Sequence, residues 1–175
     1  MSMITVSNQA FNDALTHLAA RLDDMQPVLQ GIGEDQVDRI KQRFATATAP
    51  DGAKWKPNSQ ATLVNYIASR GGFSKKTGKV SAKGRTLAIS KRPLQGASGD
   101  LARQIFYVAS ASELVVGSSM IYAAMQHYGG TKAQFPHLWG DIPARPFLPV
   151  TPAGELYPQD VEFIVTSLRD YLVGD

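Results

Sequence analysis

The chain has 175 residues, a length typical of one domain, and 43% of them are apolar, which is enough to bury a core and too much for a mostly disordered polypeptide. It has no cysteine, which excludes a disulfide framework and thiolate metal ligation. The net charge is only +3, but it is unevenly spread. Arg39 to Arg103 holds 14 basic residues against Asp51 and Asp100, whereas the remainder holds 4 bases and 13 acids. Such asymmetry points to a polyanion or an acidic protein surface as a partner.

The first residues lack the basic flank and apolar run of a signal peptide. No stretch reaches the roughly 18 consecutive apolar residues of a membrane span. The expectation is a soluble cytoplasmic protein, with no membrane contact, cofactor or metal.

In chain order, Met3 to Val6 is β-prone and reads as a short strand. Ser7 or Asn8 is placed to cap a helix. Phe11, Leu15, Leu18, Leu22 and Met25 then form one apolar helical stripe, ended or kinked at Pro27. Val37, Ile40 and Phe44 mark a second amphipathic helix from about Val28 to Thr46. Its acids (Glu34, Asp35, Asp38) precede its bases (Arg39, Lys41, Arg43), an order that complements the helix dipole. Pro50-Asp51-Gly52 makes a turn before Trp55 and Pro57, and Asn58 or Ser59 caps a short helix through Tyr66 and Ile67.

From Ser69 to Gly99 the character changes. Six glycines interrupt the segment, and Arg70 to Arg92 holds eight bases (Arg70, Lys75, Lys76, Lys79, Lys83, Arg85, Lys91, Arg92) and no acid. This reads as a long basic loop, mobile in the free protein, with a short strand at Thr86 to Ile89. Two readings of the bases stay open. One is a solvated loop that aids solubility. The other is contact with DNA phosphates or an acidic partner, without sequence-specific readout.

Ile105 to Val108 and Glu113 to Val116 form a β-hairpin candidate. Ile121 to Tyr128 reads as a short helix stopped by Gly129 and Gly130, followed by a proline-interrupted extended stretch to Pro146. Val161, Ile164, Leu168, Tyr171 and Leu172 mark a last amphipathic helix after Pro158. The expected fold is therefore α+β. A small antiparallel sheet packs with amphipathic helices at both chain ends, and residues 1–175 form one domain with a basic loop at 69–99.

The sequence offers little for catalysis. His17, His127 and His137 lack the spacing of a helix-borne metal site. Ser74 to Lys79 contains Lys76-Thr77-Gly78 but no accompanying S-x-x-K, and neither a G-x-S-x-G elbow nor a P-loop is present. The residues support no enzyme.

Three segments carry a resemblance. The first is Phe44 followed by Pro50-Asp51-Gly52-Ala53-Lys54-Trp55-Lys56-Pro57. The second is Gly99-Asp100-Leu101-Ala102-Arg103-Gln104-Ile105. The third runs from Val116-Gly117-Ser118 through Tyr122, His127, Tyr128 and Gly129 to Ile142-Pro143-Ala144-Arg145-Pro146-Phe147-Leu148. In this order they resemble the phage virion morphogenesis family, which includes Mu-like G proteins and tail completion proteins. The chain departs at Ser98, where the family has Thr, and at Pro149, where it often has Gly.

The resemblance implies a structural protein of a tailed phage or prophage that acts late, at the head–tail junction or tail end. Similar small neck and tail-terminator proteins work as rings, commonly sixfold, so the implied partners are further copies of itself and other neck, tail or capsid proteins. Packaged DNA, contacted non-specifically, or an acidic neighbour is the expected partner of the basic loop, and the virion is the implied location after assembly in the host cytoplasm. Asp51, Gly52, Trp55, Gly99, Leu101, Tyr122, Gly129, Arg145, Pro146 and Phe147 read as structural motif positions. Arg145 is expected to pair with an acid of the same or a neighbouring subunit.

Overall fold

A computed structural model describes residues 8–96, 98–138 and 140–174. The proposed strand at Met3 to Val6 lies outside them. The described residues form seven helices and one two-stranded antiparallel sheet, an α+β fold.

Helix α1 (Gln9–Asp23) begins where expected, with the Asn8 side chain accepting from the Phe11 N–H. It ends before Pro27, which sits in the first turn of α2 (Gln26–Thr46), where its missing N–H costs no helical bond. Helix α2 is the spine of the fold. Ile32, Gln36, Val37, Ile40, Arg43 and Phe44 are buried along one broad face, and a left-handed Ala47 ends the helix. Of the expected charge order, the basic end holds, with Arg43 in the last turn. The first turn has no acid, because the helix starts eight residues before Glu34.

Against α2 packs the hairpin of β1 (Ile105–Ala109) and β2 (Leu114–Ser118). Tyr107 pairs with Val116 and Ala109 with Leu114. The Tyr107 ring lies directly over Gly33, where an added Cβ would come within 2.4 Å of it. Helix α2 therefore approaches the sheet closely only because residue 33 has no side chain. The alternation of the strands puts Ile105 and Tyr107 inward and leaves Phe106, Val108 and Val115 exposed.

Helix α7 (Pro158–Val173) also packs on α2. The short helices α5 (Asp100–Arg103) and α6 (Ala123–Tyr128) contribute Leu101 and Ala123 to the same core.

The basic segment differs from expectation. It contains a turn closed by a Phe73–Val80 bridge and a helix, α4 (Ala82–Ser90), packed on α3 (Gln60–Ser69). Thr86 to Ile89 is thus helical, not a strand. Ser81 starts the helix by accepting the Gly84 N–H, and its hydroxyl donates to Gly72 O at 2.9 Å. Gly72 and Gly84 are both buried and touch backbone to backbone. Glycine here allows the two segments to approach backbone to backbone beside Ile67 and Val80.

Candidate functional site: a buried knot, a cleft and a basic lobe

The motif segments converge on one knot. Phe147 is fully buried, with its ring centroid 5.1 Å from Phe44 and 5.2 Å from His127, and Phe44 meets Trp55 edge-on at 5.4 Å. The Trp55 indole N–H donates to Pro146 O at 2.8 Å. The turn that delivers Trp55 is held by Ala49 N–H on Ala53 O (2.8 Å), with the Asp51 carboxylate accepting from the Ala53 N–H. Asp51 and Gly52 themselves sit exposed at the turn tip, and Gly52 has a positive φ of 84°.

Arg145 is buried, but its partners are not acids. Its Nε donates to Lys56 O at 2.9 Å and its Nη2 to Pro57 O at 3.0 Å. The expected acidic partner within the chain is replaced by two backbone carbonyls, which fix the Trp55 turn against residues 145–147. Burial holds the Arg145 pKa below its ordinary value.

His127 is also consumed by structure. Its Nε2 lies 2.9 Å from Val150 O, while its Nδ1 accepts from the Phe147 N–H at 3.1 Å and the Leu148 N–H at 3.3 Å. These bonds define a neutral ring protonated on Nε2. Burial lowers its pKa, opposed by the Val150 carbonyl. Tyr128 stacks edge-on against it, yet Tyr128 and Tyr122 remain largely exposed, whereas Phe147 is core. Gly129, at φ 74°, lies so close to residues 142–144 that a Cβ would fall 2.6 Å from Ala144 N. Gly99 caps α5 and Leu101 is buried beside the knot.

Sequence reasoning missed a polar pin below this knot. The Asp160 carboxylate is fully buried at the start of α7 and accepts from Arg43 Nη2 at 2.7 Å on both oxygens and from Gln36 Nε2 at 3.4 Å, while Arg39 Nε lies 3.4 Å away as an ion-pair contact without a hydrogen bond among the described residues. Arg43 Nη1 reaches Phe147 O at 2.9 Å. A signal was present. Gln36 and Arg43 fall on the same helical face as Val37, Ile40 and Phe44, where polar residues need partners.

Beside the knot lies an open cleft of about 960 Å³ between α3, α6 and the segment after α4. Pro57, Leu94, Tyr122 and Ile142 supply apolar walls, and Lys56, Lys91 and Arg145 supply bases.

The eight predicted contact bases cluster on the α3–α4 lobe, but they are not equivalent. Arg70 and Lys91 both sit over the Tyr66 ring, at 4.5 and 4.9 Å. Burial and then Arg70 lower the Lys91 pKa. Arg92 donates to Ala45 O, tying the lobe to α2, and Lys91 donates to Gln95 O. Lys75, Lys76, Lys79, Lys83 and Arg85 are exposed, and among the described residues their side chains meet neither a carboxylate nor another hydrogen-bond partner. Among the same residues no group of three or more His, Asp or Glu is placed to hold a metal ion, and no helix is long and apolar enough to cross a membrane.

The convergent side chains of this α+β chain brace its own loops, and the cleft and the basic lobe face outward. The model of the phage virion morphogenesis family matches residues 6–172, so the chain belongs to that family. Neither the curated proteins nor the solved structures contain a match.

Proposed function

We propose that this chain is a non-enzymatic assembly protein of a tailed phage or prophage, acting in head–tail joining or tail completion as a homo-oligomeric ring. The observation that carries this reading is the family match over residues 6–172. The use of the site supports it. His127, Arg145, Arg43 and Asp160 are occupied by internal hydrogen bonds, which leaves none of them in the role of a general base or nucleophile. A ring needs a head-to-tail interface that closes, and its other partners are neck, tail or capsid proteins.

Immunogold electron microscopy of purified particles tests this reading. Label at the neck or tail end supports it, and particles free of the protein at every stage contradict it.

A second reading is a nucleic-acid-binding accessory protein. It is favoured by the five exposed bases on the α3–α4 lobe that have no side-chain partner among the described residues. In a ring the same bases would face packaged DNA or an acidic neighbour.

A further inference from the structure

Among the described residues β1 and β2 pair only with each other, so each strand has a free edge. The Ser110 N–H donates to Glu113 O, and the Ser119 N–H donates to Gln104 O. Antiparallel ladders alternate bonded and non-bonded pairs, so the bonded pairs between these ends are Phe106 with Gly117 and Val108 with Val115. The backbone groups of Tyr107 and Ala109 on β1, and of Leu114, Val116 and Ser118 on β2, therefore point away from the hairpin. Among the described residues none of these N–H and C=O groups has a hydrogen-bond partner. Ile105 shares this orientation but is buried, so the open edge of β1 is its second half.

Neither edge is guarded. Edge strands commonly carry charge, proline or a bulge that prevents pairing with another chain. From Gln104 to Ile121 the sole charged residue is Glu113, at the turn, and there is no proline. The register runs without a bulge. One face of the hairpin packs on α2, and the other leaves Phe106 42% exposed, Val108 60% and Val115 45%. A two-stranded hairpin is marginal by itself and gains from further strands.

We propose that the hairpin is a strand-addition surface on which β2 of one copy of this chain pairs antiparallel with β1 of the next. The open ladder selects a β-strand as the occupant. The two edges select a second copy. A two-fold pair of like edges leaves the other edge of each copy open, whereas β2 on the next copy's β1 uses both edges through one kind of contact. Leu114 then bonds Ala109 of the next copy, Val116 bonds its Tyr107, and Val115 falls opposite its Val108. This repeats the register inside the hairpin and continues the apolar outer face from copy to copy. The contact is head-to-tail and propagates into a ring or a filament. The proposal rests on the self-assembly reading above and names its surface.

The absence of cysteine permits a direct test on the full chain. Val108→Cys and Val115→Cys, both on the exposed face, are made separately, mixed and oxidised. The two positions form a non-bonded pair across the proposed contact, with Cα atoms about 4.5 Å apart, within disulfide reach. Disulfide-linked pairs joining the two variants, several-fold more abundant than pairs of either variant with itself, are expected. Amide exchange gives a second readout. The N–H groups of Tyr107, Leu114 and Val116 should slow by roughly tenfold or more on oligomerisation, while those of Phe106 and Val108 are protected at every concentration. Val115→Lys, which leaves the α2 side untouched, should raise the concentration for half-assembly by roughly tenfold. Predominant self-pairs of one variant would mean a two-fold contact and overturn the proposal. Oligomers that form with neither mixed pairs nor edge protection would overturn it too, although the assembly reading would survive that result. A chain that stays monomeric at every concentration would also overturn it. Particle production after gene deletion is a separate readout, so failure of the assembly reading itself is distinguishable.

Discussion

Arg43 and Asp160, 117 residues apart in sequence, form a two-point ion pair in the interior, with Arg43 Nη2 2.7 Å from each carboxylate oxygen. The pair joins the spine helix α2 to α7, and through Arg43 Nη1 it also holds the carbonyl of the central Phe147. Removing one partner of a buried pair strands the other charge, at a cost of about 3–5 kcal/mol. Asp160→Asn should lower unfolding free energy by that order, measured by urea denaturation. Replacing both residues by apolar ones should recover part of the loss. A single variant as stable as the wild type would remove the pair from the account.

His127 makes stability depend on pH. Burial holds its folded-state pKa below the ordinary value of 6.5. Above about pH 6.5 the ring is neutral folded and unfolded, and its contribution is fully present. Below that, the unfolded chain binds a proton that the folded chain resists, so stability falls with pH until the folded pKa is reached. Wild-type unfolding free energy should therefore decline between pH 7 and about pH 5.5, a window above the ordinary carboxylate range. His127→Gln should flatten that limb and cost about 1–3 kcal/mol at neutral pH, because three backbone groups lose a well-placed partner. Parallel pH profiles for the two proteins would contradict this.

Gly84 should not tolerate even a methyl group. A Cβ there would sit 2.2 Å from Gly72 O and 2.7 Å from Val80 Cγ1. The α3–α4 turn must then move apart, and overpacking of this kind costs about 1–3 kcal/mol. Gly84→Ala is expected to increase proteolysis within residues 69–96 while leaving the knot intact, as reported by Trp55 fluorescence in a Trp139→Phe background. Wild-type protease resistance in the variant would show that the two glycines need not touch.

The exposed bases bear on the second reading. If Lys75, Lys76 and Lys79 neutralise phosphates, duplex DNA binding should weaken with salt. Changing all three to Ser should then reduce the log–log slope by about 0.9 for each phosphate left without its lysine. Binding that is absent, or insensitive to the substitutions, would leave an acidic protein surface or a solvated, solubility-aiding role for the lobe.

The helices α1, α2 and α7 and the hairpin are legible because periodicity and capping are local. Asn8, Pro27 and Pro158 mark their boundaries in the sequence itself. Periodicity does not say what covers a stripe, and Phe11 to Leu22, legible as one apolar helical stripe, stands exposed. The α4 segment reads as loop and strand because its packing runs through Gly72 and Gly84, which leave no apolar pattern. At the site, the motif segments identify the right pieces, and Trp55, Arg145, Pro146 and Phe147 do meet. Their partners are not readable. Arg145 binds carbonyls, whose positions no residue identity encodes, and Asp160 finds Arg43 only after the chain has folded.

The most direct measurement is electron microscopy of lysates after deletion of this gene from its phage or prophage. Filled heads and separate tails, unjoined or of abnormal length, are predicted, with joined particles restored when the full chain is supplied from a plasmid. Normal infectious particles without the gene would contradict the assembly role.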